Sequence, residues 1–223
     1  MDFGLAFSYV FKDSEWFKKV AIVALCSLIP VIGPFILTGW AAKAAKNVMD
    51  GNAENALPEL DFGADLGKGF MITLVGLIYS LPVMILTIVS SGLFSAAPNS
   101  DQAVSVILYI LGGCFGLIGL LFGLLIAFLS AVGIANYIAK GEFGAAFRFK
   151  ELFAMLKKSF VSWLLVVVGY LLAIGLIAPL GTVACVIGVF LTTAYGNAVV
   201  MHLLGQAYVA SKPSFVETVE VVE

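Results

Sequence analysis

The sequence has few charged residues. Asp, Glu, Lys and Arg make up 12% of it, whereas soluble domains carry about 25%. Hydrophobic residues make up 61%, and the mean hydropathy is +1.08. Four long stretches contain neither charge nor histidine: residues 20–42, 69–100, 102–139 and 159–201. Because about 20 apolar residues cross a bilayer as a helix, this composition predicts an all-α integral membrane protein with several spans.

The sequence also lacks a basic surface and a cysteine pattern. The formal net charge is −2 and the sequence pI is about 5.4, which argues against a nucleic-acid partner. Cys26, Cys114 and Cys185 lie far apart inside apolar stretches and form no C-x-x-C pair. Such cysteines are typical of small core residues, so neither a disulfide framework nor a metal site is predicted.

The motifs of common enzyme classes are missing. The chain has one histidine, and it has no H-E-x-x-H, G-x-S-x-G or phosphate-loop motif. Asp-Phe-Gly occurs at residues 2–4 and 61–63, but the other kinase motifs are absent. None of the four apolar stretches contains Asp or Glu, which disfavours ion-coupled carriers. We expect no enzymatic activity and no cofactor.

The distribution of basic residues predicts three helical hairpins within residues 1–210, as a single polytopic domain. The twelve Lys and Arg fall outside the apolar stretches, and short loops rich in them stay cytoplasmic. Hairpins over about residues 15–49, 69–139 and 159–208 place all twelve on one side. This topology predicts a multi-pass inner-membrane protein with both termini cytoplasmic, and a short acidic tail over residues 211–223.

The first hairpin is predicted to be short or re-entrant. Pro30 and Pro34 each remove a backbone donor, and Gly33 tolerates unusual dihedrals, so one straight helix is disfavoured. Helices of roughly residues 15–29 and 35–49 would each be about 22 Å long, less than the bilayer core of about 30 Å. A kinked single span remains the alternative.

An acidic residue followed by Phe and Gly occurs three times, at residues 2–4, 61–63 and 142–144. Each stands before a predicted hairpin, which suggests a degenerate internal triplication. Two of the three stretches continue with amphipathic spacing, and we predict interfacial helices over about residues 2–14 and 143–158. They would serve as anchors, with a lipid-sensing or partner-binding role as the alternative.

Two groups of residues are candidate sites. Gly112, Gly116, Gly119 and Gly123 form a strip of small residues, which predicts close helix packing, either internal or against a second copy. The last helix carries the polar residues Thr192, Tyr195, Asn197, His202 and Gln206. His202 and Gln206 share a face. An ionisable residue inside a membrane is a functional hypothesis, and a structural interhelical bond is the alternative.

Several segments resemble one family. They are "DSEWFKK" from Asp13, Gly39-Trp40, Gly51, "LPELD" from Leu57, Gly69, and "GLIYSLP" from Gly76 to Pro82. Together they resemble the prokaryotic membrane proteins called domain of unknown function 4013, over most of residues 1–210. The resemblance implies a polytopic inner-membrane protein and no particular activity. The chain departs from the pattern at Lys43, where the family suggests arginine.

Two functions remain open from sequence. The first is a non-enzymatic module that lies in the lipid bilayer and packs against itself as a homo-oligomer, against another membrane protein or against specific lipids. The second is a passive channel or small-solute transporter lined by Asn197, His202 and Gln206. The glycine strip and the interfacial helices favour the first.

Overall fold

The fold was taken from a computed structural model, which describes the backbone of residues 1–212 and the side chains of that range outside residues 184–186. From residue 213 onwards, the predicted acidic tail lies outside the described residues. Every regular element in the described range is helical. Nine α-helices occur there: α1 Phe3–Lys12, α2 Trp16–Cys26, α3 Ile32–Met49, α4 Phe62–Ala96, α5 Gln102–Lys140, α6 Phe149–Lys158, α7 Phe160–Tyr170, α8 Ala178–Leu180 and α9 Cys185–Ser211.

Four helical stretches are long and apolar enough to cross a membrane: Phe62–Asn99, Gln102–Lys140, Phe160–Val183 and Ile187–Ser211. The first two are α4, with a 3₁₀ turn at Ala97–Asn99, and α5. The third joins α7 to a π-helix at Leu171–Ile177, to α8 and to a 3₁₀ segment at Gly181–Ala184. The prediction of an all-α membrane protein is confirmed.

Helices α2 and α3 are separated by a break at residues 27–31. At 11 and 18 residues, they are about 16 and 27 Å long. Pro34 lies in the first turn of α3, where the missing N–H would have no helical partner in any case. Within the break, the N–H groups of Leu28 and Ile29 bond to carbonyls one turn back, which reduces the cost of placing this backbone among apolar groups.

Val31 is strained, since its φ of 68° and ψ of −50° are those of a γ-turn, closed by the bond from Ile32 N to Pro30 O, which costs an L-residue about 1–3 kcal/mol. Its side chain is 74% exposed, so little packing would be lost on its removal. We expect Val31→Gly to raise the free energy of unfolding by about 1 kcal/mol. Thermal unfolding in detergent should show a rise of about 3 °C. Val31→Ala keeps the Cβ and is the control, so equal shifts in the two variants would contradict the strain.

Each of the three acid-Phe-Gly motifs stands at the start of a helical segment. Asp2, Asp61 and Glu142 each precede a helical segment with extended backbone angles. The Asp2 carboxylate accepts a hydrogen bond from Leu5 N, and the Asp61 carboxylate accepts one from Ala64 N. These are side-chain N-caps, which satisfy otherwise unpaired helical N–H groups. Capping accounts for two of the three motifs locally, and the internal triplication stays a prediction.

Helices α3 and α4 approach each other at backbone distance. A Cβ built on Gly39 would lie 1.8 Å from the carbonyl oxygen of Asp65. A Cβ built on Gly69 would lie 1.7 Å from the carbonyl oxygen of Phe35. Only glycine fits at these two positions, as in close helix crossings of membrane proteins.

The core is centred on α9. This helix packs against α1, α2, α3 and α7, and Trp40, Trp163, Tyr9 and Leu203 are among the largest buried side chains. By contrast, the membrane-length windows of α4 and α5 are only 17% and 22% buried. The protein therefore has a packed region around α9 and a long α4–α5 pair with mostly exposed apolar side chains.

Candidate functional site

His202 lies at the centre of the polar contacts between α9, α1 and the connector. Its side chain is fully buried, and its ring stacks on that of Tyr9 with centroids 4.3 Å apart. Its Nε2 lies 2.8 Å from the carbonyl oxygen of Ala53, and its Nδ1 lies 3.0 Å from Nε2 of Gln206. Because a carbonyl can only accept, Nε2 must carry the proton and Nδ1 must accept from the Gln206 amide. His202 is thus a neutral imidazole with both nitrogens bonded.

Gln206 fastens the beginning of the chain to α9. Its Oε1 accepts from Asp2 N at 2.6 Å, and its Nε2 donates to Asp2 O at 2.9 Å. Together with the bond to His202, these contacts use both amide hydrogens and the amide oxygen. Gln206 therefore joins the N-terminus of α1 to the same cluster as His202.

Two tyrosines join α1 to α9 in opposite directions. Tyr9 on α1 donates to the carbonyl of Ala198 at 3.1 Å, and Tyr195 on α9 donates to the carbonyl of Phe7 at 2.8 Å. Burial raises the pKa of Tyr9 far above its usual value, so its hydroxyl stays a neutral donor. We call Tyr9, Tyr195, His202 and Gln206 the α9 polar cluster.

The other two predicted residues lie outside this cluster. Thr192 donates to the carbonyl of Ala178 at 2.7 Å, which ties α9 to α8. Asn197 donates to the carbonyl of Thr193 in its own helix at 2.9 Å. Of the five predicted polar residues, the structure brings Tyr195, His202 and Gln206 together with α1, and it leaves Thr192 and Asn197 in separate structural bonds.

The connector, residues 50–61, is held by side chains of α3 and α9. Four of its carbonyls accept hydrogen bonds: Ala53 from His202, Ala56 from Asn47, Pro58 from Trp40 and Glu59 from Lys43. Residues 56–58 are buried, and irregular backbone can be buried only if its polar groups are paired. The three donors on α3 are spaced i, i+3 and i+7, a helical face that could have been recognised as polar.

A buried ion pair lies beside the connector. Lys43 Nζ is 2.8 Å from Oδ2 of Asp65, whose side chain is 1% exposed. The same Oδ2 accepts from Asp61 N at 2.8 Å. Asp65 also lies in the first turn of α4, where the helix dipole favours a negative charge. In the sequence, Lys43 stands out as one of the basic residues that predict topology. The position of Asp65, one turn after the N-capping Asp61, was the sequence feature that could have marked it as a buried partner.

The predicted glycine strip faces α4. A Cβ on Gly112 would lie 3.4 Å from Leu93, one on Gly116 would lie 3.1 Å from Oγ of Ser90, and those on Gly119 and Gly123 would meet Leu86 and Val83. Ser90 also donates to the carbonyl of Gly112 at 2.8 Å. The four glycines thus form an internal contact between α5 and α4.

Chemically, these arrangements hold the fold together. Among the described side chains, those of residues 1–183 and 187–212, no three His, Cys, Asp or Glu come together as a group that could hold a metal ion. The one histidine has both nitrogens bonded to the protein, so neither is free to take a proton from a substrate in this conformation. The site is best described as a clamp that joins α1, the connector and α9.

We expect His202→Leu to loosen the connector. The substitution keeps an apolar body but leaves the carbonyl of Ala53 and the amide of Gln206 without their partner, which costs about 2 kcal/mol. Amide hydrogen exchange over residues 50–61 should accelerate. Asn197→Leu is the control, because Asn197 bonds only within its own helix. Equal exchange in the two variants would show that His202 does not hold the connector.

No curated protein matches this chain, and no solved structure matches it. A family profile does match, over residues 22–205. That range contains the connector, the Lys43–Asp65 pair and two residues of the α9 polar cluster, Tyr195 and His202, as well as the Leu57-Pro58-Glu59 segment that contributes to the resemblance. Because the match covers most of the chain, the chain belongs to the family described as Protein of unknown function (DUF4013).

Proposed function

We propose that this protein is a non-enzymatic membrane module that acts through its outer surface, by associating with bilayer lipid or with another membrane protein. One observation carries the proposal: the five polar side chains of α9 singled out as a candidate site are hydrogen-bonded within the chain, as the contacts of His202 and Gln206 illustrate. Side chains committed to intramolecular bonds support the fold and are poorly placed to bind a solute.

The outer surface of α4 and α5 supports the same proposal. Large apolar side chains are exposed along both helices, including Ile85, Ile88, Ile107, Ile110, Leu120 and Leu121. In a membrane protein, such a surface meets lipid tails or a neighbouring helix. The glycine strip is already occupied by α4, so a second copy would have to bind elsewhere.

We further propose that both ends of the described chain face the cytoplasm in an inner membrane. The hydrogen bonds between Asp2 and Gln206 support placing the two ends on one side of the membrane. The bond from Lys158 Nζ to the carbonyl of Lys212 supports placing the end of α6 on that side as well. Basic residues near such ends favour the cytoplasmic side. In a bacterial host, a fluorescent protein fused at either end should fold, and alkaline phosphatase fused there should stay inactive. The reverse result would overturn this orientation.

The test of function is extraction of the tagged full chain from its native membrane with a lipid-retaining polymer, followed by mass spectrometry of bound proteins and lipids. A stoichiometric membrane protein or one enriched lipid class supports the proposal. The competing function, passive transport, is tested by solute flux into proteoliposomes. Flux lost in a variant with Ala at Asn197, His202 and Gln206, with folding retained, would overturn the module and favour a pore.

A further inference from the structure

A second surface feature lies where α4, α5 and α6 meet. It is an apolar groove of about 350 Å³. The groove is lined by Ile78 and Pro82 of α4, Phe122, Leu125 and Leu129 of α5, and Phe153 of α6. Along α5 it extends over eight residues, from Phe122 to Leu129, a rise of about 10 Å. Its apolar walls suit part of an extended hydrocarbon chain.

Aromatic rings line one part of the groove. Tyr79 stacks on Phe147 with centroids 5.4 Å apart, and it meets Phe149 edge-on at 6.5 Å. The Tyr79 hydroxyl donates to the carbonyl of Ala146 at 2.6 Å, so its polar atom is already paired. Pro82 has no backbone N–H to present. These groups leave the groove apolar at the end where α6 begins.

Helix α6 places cations beside this end. Its buried face carries Leu152 and Met155, whereas Phe149 and Phe153 are 50% and 41% exposed. Lys150 and Lys157 are seven residues apart and thus share a face. Lys157 lies one turn after Phe153, on the adjoining part of the helix surface. The helix therefore presents core, exposed phenylalanines and cations in succession, the arrangement of an interfacial helix.

The charges around α6 do not balance. Residues 140–158 contain five basic and two acidic residues. Both acids are already paired, Glu142 with Arg148 and Glu151 with Lys140, each at 2.5 Å. In the part of the chain that the structure describes, neither Lys150 nor Lys157 has a carboxylate partner.

A second groove, between α2 and α9, differs in this respect. It consists of two neighbouring apolar pockets, and Phe17 and Leu191 line both of them. The lysines nearest to it in sequence are all paired: Lys12 with Glu54, Lys18 with Glu15 and Lys19 with Asp13. Unpaired positive charge therefore accompanies the α4–α5–α6 groove and does not accompany the α2–α9 groove.

We propose that the α4–α5–α6 groove holds one acyl chain of an anionic phospholipid from the bilayer, with the lipid phosphate bound by Lys150 and Lys157. The apolar walls match the chain, and the two lysines, which have no carboxylate partner among residues 1–212, match the charge of the headgroup. This inference rests on the proposed function. For the case in which the module associates with lipid, it names the binding site and the class of lipid.

The test is native mass spectrometry of the full chain in detergent, titrated with dioleoyl phosphatidylglycerol and, separately, with dioleoyl phosphatidylcholine. We expect the anionic lipid to bind about thirtyfold more tightly, since each lysine near a headgroup contributes a factor of about five. Lys150→Gln/Lys157→Gln should remove this preference. Lys12→Gln/Lys18→Gln changes the net charge equally and should preserve it. Equal loss in both double variants, or no preference in the parent chain, would overturn the site.

The groove itself is tested by filling it. Leu125→Trp should weaken binding of both lipids at least tenfold, because Leu125 lines the groove. Leu120→Trp is the control, since Leu120 is 61% exposed and lies about 140° away around α5. Unchanged binding in Leu125→Trp, with the variant folded, would place the lipid elsewhere.

The failure of this site can be distinguished from the failure of the proposed function. If the lipid site is not found but a stoichiometric protein partner is recovered from native membranes, the proposed membrane module is retained and only the lipid site is overturned. Solute flux that depends on Asn197, His202 and Gln206 of α9 would overturn the proposed module function itself.

Discussion

Gly69→Ala is expected to disrupt the packing of α3 against α4 and to lower the free energy of unfolding by about 3 kcal/mol or more. The added Cβ would stand 1.7 Å from the carbonyl oxygen of Phe35. That oxygen belongs to the backbone, so neither helix can relieve the clash by turning a side chain. The measurement is thermal unfolding in detergent, monitored by the fraction of protein that stays monodisperse, with an expected fall of about 10 °C.

Gly76→Ala is the matched control on the same helix. A Cβ at Gly76 meets nothing within 4 Å, and replacing glycine by alanine inside a helix stabilises it by about 0.5–1 kcal/mol. The two substitutions add the same methyl group and should shift stability in opposite directions. A small effect of Gly69→Ala would mean that α3 and α4 separate easily, which contradicts the backbone contact described above.

Lys43→Met should destabilise the protein by about 3–5 kcal/mol, because it leaves Asp65 as an uncompensated buried charge. The Asp65 side chain is 1% exposed, so water cannot replace the ammonium group. The double variant Lys43→Met/Asp65→Leu removes both charges, and it should recover most of the loss. Thermal unfolding of the single and double variants gives the coupling between the two residues.

Lys46→Met is the control for this pair. Lys46 bonds to Asp50 at 2.5 Å, and the two side chains are 39% and 48% exposed. Exposed ion pairs contribute about 0–1 kcal/mol, so this variant should remain close to the parent chain. If Lys43→Met and Lys46→Met cost the same, or if the double variant is no more stable than Lys43→Met, Asp65 does not depend on Lys43 for its burial.

Much of the fold could be predicted from the sequence, because the long helices follow directly from apolar runs without charge. The apolar runs that form α4 and α5 are examples. The break before α3 could also be predicted, because Pro30 removes a helical hydrogen-bond donor. The turn inside the predicted hairpin over residues 159–208 could not be located from the sequence. There the chain continues from α7 through the π-helix and α8 before α9 begins, and a change from one helical pitch to another has no simple sequence pattern.

The candidate site was predictable only in part. Spacing placed His202 and Gln206 on one face of a helix, and the structure joins them at 3.0 Å. Their other partners are backbone atoms of Ala53 and Asp2. Any residue type offers a backbone carbonyl, so nothing in the sequence marks these as the acceptors. Asn197 belonged to the same polar stretch, but it bonds within its own helix, which a residue list cannot distinguish from an interhelical bond.

The bonds between Asp2 and Gln206 also fix an order of events. The two residues are 204 positions apart, and at about 5–20 residues per second a ribosome needs roughly 10–40 seconds to pass from one to the other. During that time, Asp2, Tyr9 and the carbonyl of Ala53 have been made but their partners on α9 have not. Helix α1 therefore waits for α9, and the packing of these two helices can finish only after residue 206 has been synthesised.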